Sequence, residues 1–301
     1  YVELLYEKFE HRYHPKVSND LINWKKIEMD NIKIEDNGKK VILTFKANSD
    51  YTYISAQEIL SSAWYETWYK IIRDIKNVTI SELGSTSVGR SINKILIGND
   101  LENPYILLIG RQHPPEITGA FALKAFIEQI LDDNALSNDF LSNYNIISYP
   151  LVNPDGVDLG HWRHNLRKKD LNRDWGFFSQ IETSIIYDDI RKILNDNKIV
   201  LMIDFHSTFK NIFYIQDESE TAGYNFAQAW LLKNLSDKSN YKFTIKPTKN
   251  VNNGVAKNYF NSLYGIPAIT FEVGDNTDRE TIINSSKNLA DSMMLVLLEN
   301  K

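Results

Sequence analysis

The sequence contains no cysteine. That excludes disulfides, a thiol nucleophile and any zinc site built on thiolates, so a metal site here must use His, Asp and Glu. It leaves the compartment open, because a chain without thiols tolerates either redox poise. An apolar run of eighteen or more residues is also missing, so no transmembrane helix is expected. So is a basic surplus: 34 Lys+Arg against 39 Asp+Glu give a formal net charge of −5. This disfavours a nonspecific nucleic-acid or anionic-membrane binder, which needs a basic face. No repeat or low-complexity tract is visible. The chain starts at Tyr1 without a basic-then-apolar leader. Either a targeting peptide has been removed or the start lies inside a longer protein. The first reading puts a secreted or periplasmic setting ahead of a cytoplasmic one.

What remains is ordinary globular composition. Hydrophobic residues are 43% and charged residues 24% of 301. That length suits one large domain, or one domain with a small companion. Residues 1–50 read as short strands and turns: Tyr1–Phe9, a polar stretch, then Val41–Phe45 after the turn signal Asp36-Asn37-Gly38. This is too little to bury a core alone. It is expected to be a β-rich companion, the tail of a sandwich-like domain, with the main domain spanning 51–301.

From about residue 51, strands and helices alternate. Helical spacing appears over Ala56–Ile75, Thr118–Leu131, Ile181–Leu194, Ala222–Leu235 and Ile282–Leu298. Short apolar strands appear at Ile92–Ile97, Tyr105–Ile109, Asn145–Leu151, Val200–Phe205, Asn211–Ile215 and Ala268–Val273. Apolar runs separated by helices imply a sheet covered on both faces. The fold class is α/β, three layers, with a mixed sheet. Strands 200–205 and 211–215 are too close for a crossover and are expected to pair antiparallel.

Chemically able residues cluster just after these strands, where open α/β sheets bind ligands. Arg111-Gln112-His113-Pro114-Pro115-Glu116 follows the strand at 105–109. His113 and Glu116 can point at one spot as normal zinc ligands. The plainer alternative is a helix entrance with a favourable first-turn Glu. Asp204-Phe205-His206-Ser207 ends the most apolar strand, where a His needs a polar partner or a ligand. Taken together, two His and one Glu from separate strand ends leave an open fourth position, the catalytic kind of zinc site. Asn153-Pro154-Asp155-Gly156 is followed by Arg163, Asp170, Asn172 and Arg173. Arg and Asn suit a carboxylate, although Asn-Pro-Asp-Gly alone reads as a turn. Glu272 ends the strand at 268–273, either as a general base or as a salt-bridged strand-end residue.

In this order the set resembles the zinc carboxypeptidase family of metallopeptidases. The resemblance runs from about Ser81 to the C-terminal helix and includes Gly89-Arg90-Ser91-Ile92. It implies the family's three-layer fold and one Zn²⁺ per chain, held by His113, Glu116 and His206. It implies that Glu272 takes the proton from a zinc-bound water and hands it to the leaving amine, and that Arg163 stabilises the oxyanion. Asn172 and Arg173 would grip the free C-terminal carboxylate of a peptide substrate, and Asp170 would orient His113.

Some positions depart from the digestive members. Pro115 stands where they have Arg, as in the cytosolic-type and bacterial branches, which often carry a β-rich N-terminal domain. Lys249 and Asn250 stand where many members have a tyrosine, and Thr208 follows His206-Ser207. Ala256 and Lys257 are the candidates for the floor of the side-chain pocket. An inward Lys257 would favour an acidic C-terminal residue, and a surface Lys is the alternative.

The activity implied is hydrolysis of the C-terminal peptide bond. The alternatives are a murein-peptide or other isopeptide amidase using the same zinc site, a deacylase of N-acyl amino acids, and a non-catalytic peptide-binding member. His11 and His14 are expected at the surface, as are His161 and His164, for which the alternative is support of the site beside Arg163.

Overall fold

A computed structural model describes residues 1–47, 49–98, 100–194, 199–235 and 241–300. The chain divides into two compact units, Tyr1–Leu60 and Ser61–Lys301. Lys301, the expected end of the main domain, lies outside the described residues. No helix among the described residues is long and apolar enough to cross a membrane.

The first unit holds β1 (Val2–Leu5), β2 (Lys16–Ser18), β3 (Lys25–Lys26), β4 (Ile32–Glu35), β5 (Lys40–Leu43) and β6 (Tyr53–Ser55). They form two three-stranded antiparallel sheets, β1-β5-β4 and β3-β2-β6. Asp36, Asn37 and Gly38 turn β4 into β5 with positive φ (50°, 50° and 87°), a region that these residue types tolerate. Alternation buries Val41 and Leu43 with Ile27, flanked by Leu4, Val17 and Ile32. His11 and His14 are half-buried rather than surface residues. His11 Nδ1 lies 3.0 Å from Tyr6 Oη, and His14 Nε2 lies 2.6 Å from Ile27 O.

The second unit begins with α1 (Ser62–Ile72), β7 (Val78–Ser85), β8 (Ser91–Ile97), β9 (Tyr105–Gly110), α2 (Ile117–Ile130), α3 (Ala135–Leu141), β10 (Asn145–Tyr149) and α4 (Pro154–Asp158). It continues with α5 (Ile181–Leu194), β11 (Ile199–Thr208), β12 (Ile212–Gln216), α6 (Thr221–Leu235), β13 (Thr244–Thr248), α7 (Ala256–Tyr264), β14 (Ala268–Gly274) and α8 (Arg279–Glu299). Helix α1 is shorter than the periodicity over 56–75 suggests. Its start is fixed by Asp158, whose carboxylate accepts from Ser62 N–H at 2.9 Å and from the Ser62 hydroxyl.

One mixed sheet runs β13-β12-β14-β11-β9-β10-β8-β7. The α/β/α arrangement with a mixed sheet is the one expected. Its centre, β14-β11-β9-β10, is all parallel, so these four strands deliver their carboxyl ends to one edge. Every residue of β9 is buried. Tyr105, Leu107 and Ile109 pack with Ile186 and Ile190 of α5 and Phe260 of α7. The alternate residues Ile106 and Leu108 point to the opposite face. There α2 covers β9, β11 and β14 and packs on α8, with Phe126 of α2 lying 5.6 Å from Phe205 between ring centres.

The pairing expected between strands 200–205 and 211–215 does not form. Strand β14 lies between β11 and β12, parallel to the first and antiparallel to the second. The short connection passes over the end of β14 and is tied there. Asn211 Oδ1 accepts from Gly274 N–H at 2.7 Å, and Asp275 N–H donates to Thr208 O at 2.8 Å. A strand as apolar as β11 is thereby flanked by two parallel, fully covered neighbours. Strand β13, unread in the sequence, carries Pro247 and sits at the sheet edge, where a missing N–H is tolerated.

The start of α2 is locked to the end of β11. Gly119 N–H donates to Ser207 Oγ at 2.8 Å, and Thr118 Oγ1 lies 2.8 Å from the same atom. A Cβ on Gly119 would fall 2.5 Å from His206 O and 2.8 Å from its carbonyl carbon. Gly→Ala in a helix ordinarily stabilises by about 1 kcal/mol. Here Gly119→Ala is expected to reverse that sign and cost roughly 1–3 kcal/mol. Equilibrium denaturant unfolding checks this, and a midpoint equal to or above wild type would contradict it.

Candidate active site

Strand period places the reactive groups before any loop does. In β11, Met202, Asp204 and His206 share one face. In β14, Ala268, Thr270 and Glu272 share one face. Met202 and Ala268 both belong to the core under α5 and α7, and His206 pairs in register with Glu272. The two side chains therefore stand on neighbouring strands facing the same layer. Beside them, β9 ends at Gly110, opposite Phe205, and the chain turns through Arg111 with φ 54°.

That left-handed residue is buried. Its guanidinium donates twice to Pro114 O, from Nε at 3.0 Å and Nη2 at 2.9 Å, and from Nη1 to Tyr65 Oη at 3.2 Å. The turn is thus closed on itself, with His113 and Glu116 projecting from it. Asn153-Pro154-Asp155-Gly156 props this turn and carries no reacting group. Asn153 caps α4 by accepting from Gly156 N–H at 3.0 Å and donates to Gln112 O at 3.1 Å. Gly156 leaves room for Pro114, whose Cγ would lie 2.8 Å from a Cβ there. Asp155 accepts from Thr86 at 2.9 Å and from Arg90, of the early Gly-Arg-Ser-Ile run, at 3.0 Å.

The structure brings His113, Glu116 and His206 together, with one ligand-type atom of each within 4.8 Å of the others. Among the described residues this is the one His, Asp and Glu group of that kind. Glu116 Oε1 lies 2.8 Å from His113 Nδ1, and Glu116 Oε2 lies 2.7 Å from His206 Nδ1. The far nitrogens meet further carboxylates: His113 Nε2 is 2.8 Å from Asp170 Oδ1, and His206 Nε2 is 2.7 Å from Asp204 Oδ2.

The electrostatics follow from these contacts. Burial alone would raise the Glu116 carboxyl, but the two imidazoles hold it well below the usual range. Burial likewise opposes ionisation of Asp170, and His113 and Arg163 outweigh it and keep its pKa low. The imidazoles are lowered by burial and raised more by their carboxylates, His113 by Glu116 and Asp170, His206 by Asp204 and Glu116. A pull of this kind on a proton is also a pull on a divalent cation. Two imidazoles, one carboxylate and backed-up far nitrogens fit zinc in donor type and in support.

Glu272 behaves in the opposite way. Burial pushes its carboxyl up to about 7, and its Oε2 is buried without a hydrogen-bond partner.

Arg163 Nε donates to Asp170 Oδ2 at 2.8 Å, with its side chain 41% exposed. Asn172 is buried and Arg173 exposed. Asn172 N–H donates to Asp170 Oδ1 at 2.9 Å, and its Oδ1 accepts from Ala256 N–H at 2.9 Å, which leaves Nδ2 facing the site, 3.2 Å from His206 Nε2. Arg173 Nη1 donates to Asn172 O at 2.6 Å. Gly254, at φ +75°, lies against Arg173, and a Cβ there would be 2.4 Å from the Arg173 carbonyl. Lys257 is not the surface residue considered above. It is 4% exposed, its Nζ has no hydrogen-bond partner, and burial pushes its pKa down to about 8. His161 is half-buried, its Nδ1 3.1 Å from His164 O, and His164 is exposed.

Sequence reasoning gave no role to Arg111, Gln112 or Asp204. For Asp204 a signal was present, since a carboxylate two residues before His206 in a strand shares its face.

The sequence model of the family described as zinc carboxypeptidase matches residues 64–291. Cytosolic carboxypeptidase 3 of Bos taurus is 28% identical over 219 residues, covering 66% of this chain and 21% of that protein. The chain therefore spans about a fifth of that relative's length. Among solved structures, a metallo-carboxypeptidase from Burkholderia cenocepacia superposes with a TM-score of 0.82 at 16% identity, covering 96% of this chain and 81% of that one. A metallo-carboxypeptidase from Pseudomonas aeruginosa in complex with (2-guanidinoethylmercapto)succinic acid gives 0.78 at 16% identity, with the same coverage. At these identities the likeness is one of fold.

Purified protein equilibrated with zinc and then desalted is expected to retain one zinc per chain. His206→Ala is expected to retain far less while keeping its far-UV circular dichroism. Metal analysis of both checks this, and equal zinc in the two would exclude His206 as a ligand.

Proposed function

This chain belongs to the zinc carboxypeptidase family, and we propose that it hydrolyses the C-terminal peptide bond of peptides that end in a free carboxylate. The observation that carries the proposal is the placement of Glu272. It is a buried carboxyl poised near neutrality, with a partnerless oxygen, in register with His206 of the His113, Glu116 and His206 group.

His113, Glu116 and His206 would hold zinc, which when bound would supply Lewis acidity to a carbonyl and to a water whose pKa it would lower toward ~7. The chain's own residues do the rest. Glu272 takes a proton from the attacking water and returns it to the leaving amine, a task suited to a pKa near the working pH. Arg163, oriented through Nε by Asp170, presents the remainder of its guanidinium to the oxyanion, a contribution typically worth about 3–4 kcal/mol per donor. Asn172 Nδ2 and the Arg173 guanidinium take the terminal carboxylate. Recognition of a chain end thereby positions the last peptide bond. Asp170 joins two of these parts, since one oxygen meets His113 and the other meets Arg163.

Release of C-terminal residues from a peptide library tests the reading. It is expected with zinc-loaded protein, to be lost with a chelator, and to fall by a thousandfold or more in Glu272→Gln with zinc retained. Full turnover in that variant would remove Glu272 from the role. Zinc uptake without release of any C-terminal residue would move the weight to isopeptide bonds.

Lys257 supports a finer reading, in which the preferred terminal residue is acidic. A buried ammonium without a partner is costly, and a substrate carboxylate would satisfy it. Lys257 directly follows Ala256, whose N–H holds Asn172, so it belongs to the wall beside the carboxylate grip. Peptides ending in Glu are expected to exceed matched peptides ending in Gln in kcat/KM. That ratio should fall about tenfold as pH rises through about 8, where Lys257 loses its charge. Taking the ratio cancels the titration of Glu272. A ratio that stays flat with pH, or is unchanged in Lys257→Met, would contradict this specificity.

A further inference from the structure

We infer that Asp204, held in place by Gln112, is a positioning residue that fixes the His206 imidazole with Nδ1 toward the metal. The inference rests on the reading of His113, Glu116 and His206 as metal ligands.

The argument starts from the two nitrogens of one ring. His206 Nδ1 faces Glu116 Oε2 at 2.7 Å, and Nε2 faces Asp204 Oδ2 at 2.7 Å. An imidazole that coordinates through Nδ1 carries its proton on Nε2 and needs an acceptor there. A second group competes for Nε2, because Asn172 Nδ2 lies 3.2 Å away. The Asn172 amide cannot turn its oxygen to that nitrogen without giving up Ala256 N–H. Asp204 is nearer by half an ångström. An unprotonated Nε2 would set its lone pair against the Asp204 carboxylate. Asp204 therefore decides which nitrogen carries the proton, and the Asn172 amide hydrogens stay directed at substrate.

The carboxylate is itself fixed. Asp204 is fully buried, and Gln112 Nε2 donates to the same Oδ2 at 2.8 Å. The Gln112 amide has one possible orientation, because its Oε1 accepts from Trp175 Nε1 at 2.8 Å. Trp175 is 1% exposed, in the core beneath the site. The other carboxylate oxygen, Oδ1, has no hydrogen-bond partner, so Asp204 is oriented through the one oxygen that serves His206. Gln112 also precedes His113, and its carbonyl is held by Asn153 Nδ2. One buried glutamine thus sets the entry to one ligand through its backbone and the support of the other through its side chain.

The test compares zinc dissociation constants, by competition with a chromogenic chelator, and visible spectra of the cobalt(II) forms. Wild type, Asp204→Ala, Asp204→Asn, Gln112→Ala and the Asp204→Asn/Gln112→Ala double variant are measured. Asp204→Ala is expected to bind zinc about 10–100-fold more weakly and to change the cobalt spectrum. Asp204→Asn keeps an acceptor oxygen and is expected to recover most of the affinity, because Gln112 Nε2 selects the orientation that turns that oxygen to His206. In the double variant that recovery is expected to disappear. A loss of packing alone would not make the recovery depend on Gln112. If Asp204→Ala does not fold, the asparagine pair carries the test.

Wild-type affinity and spectrum in Asp204→Ala, or recovery in Asp204→Asn that does not depend on Gln112, would overturn the inference. A wild-type protein that binds no zinc would instead overturn the metal reading itself, before any variant is compared.

Discussion

Glu116 binds the site together, with one carboxylate oxygen against each of two imidazoles that come from different strands. His113, Glu116, Asp170, Asp204, His206 and Glu272 converge at this edge of the sheet. In a three-layer core such charge is tolerated only when it is paired or chemically used. The first five are paired with one another, Asp170 also with Arg163. Glu272 stands apart from these pairs, with its Oε2 buried and without a partner, and the proposed mechanism puts that carboxyl to chemical use.

The scaffold makes that convergence possible through strand direction. Four adjacent parallel strands end on one edge, and the period of two puts Asp204, His206 and Glu272 on the face under α5 and α7. Loops then act as braces. The left-handed Arg111 closes the turn of His113 and Glu116, Asn153 supports it from α4, and Ser207 holds the start of α2. Each brace uses a polar side chain to satisfy backbone groups that burial would otherwise leave unmet.

Much of this was legible in the sequence because apolar runs and strand-end polar residues leave strong local marks. The helices over 181–194 and 221–235, the central strands and the convergence of His113, Glu116 and His206 fall in that class. The position of β14 between β11 and β12 does not. It depends on a strand some sixty residues further on, which no local pattern announces. The burial of Lys257 was hidden for a related reason. Helix α7 is short and mixed in composition, and only its packing on β11 and β14 shows which side is covered. Gln112 was hidden because a glutamine beside a histidine has no periodic signature, and its importance lies in bonds to Trp175 and Asp204, far along the chain.

The Asn172 side chain has a consequence for how such a protein can change. It bonds to Ala256 N–H at the entrance of α7 while its backbone N–H is bound to Asp170, and Gly254 seats the same loop on the Arg173 backbone. The segment proposed to shape side-chain preference is therefore stitched to the segment proposed to grip the chain end. A loop transplanted from a relative would have to arrive with a glycine and a free N–H at the matching places. If Lys257 reads the terminal side chain as proposed, inherited variation in preference is channelled into single side chains of that kind, which can be exchanged without moving the stitches.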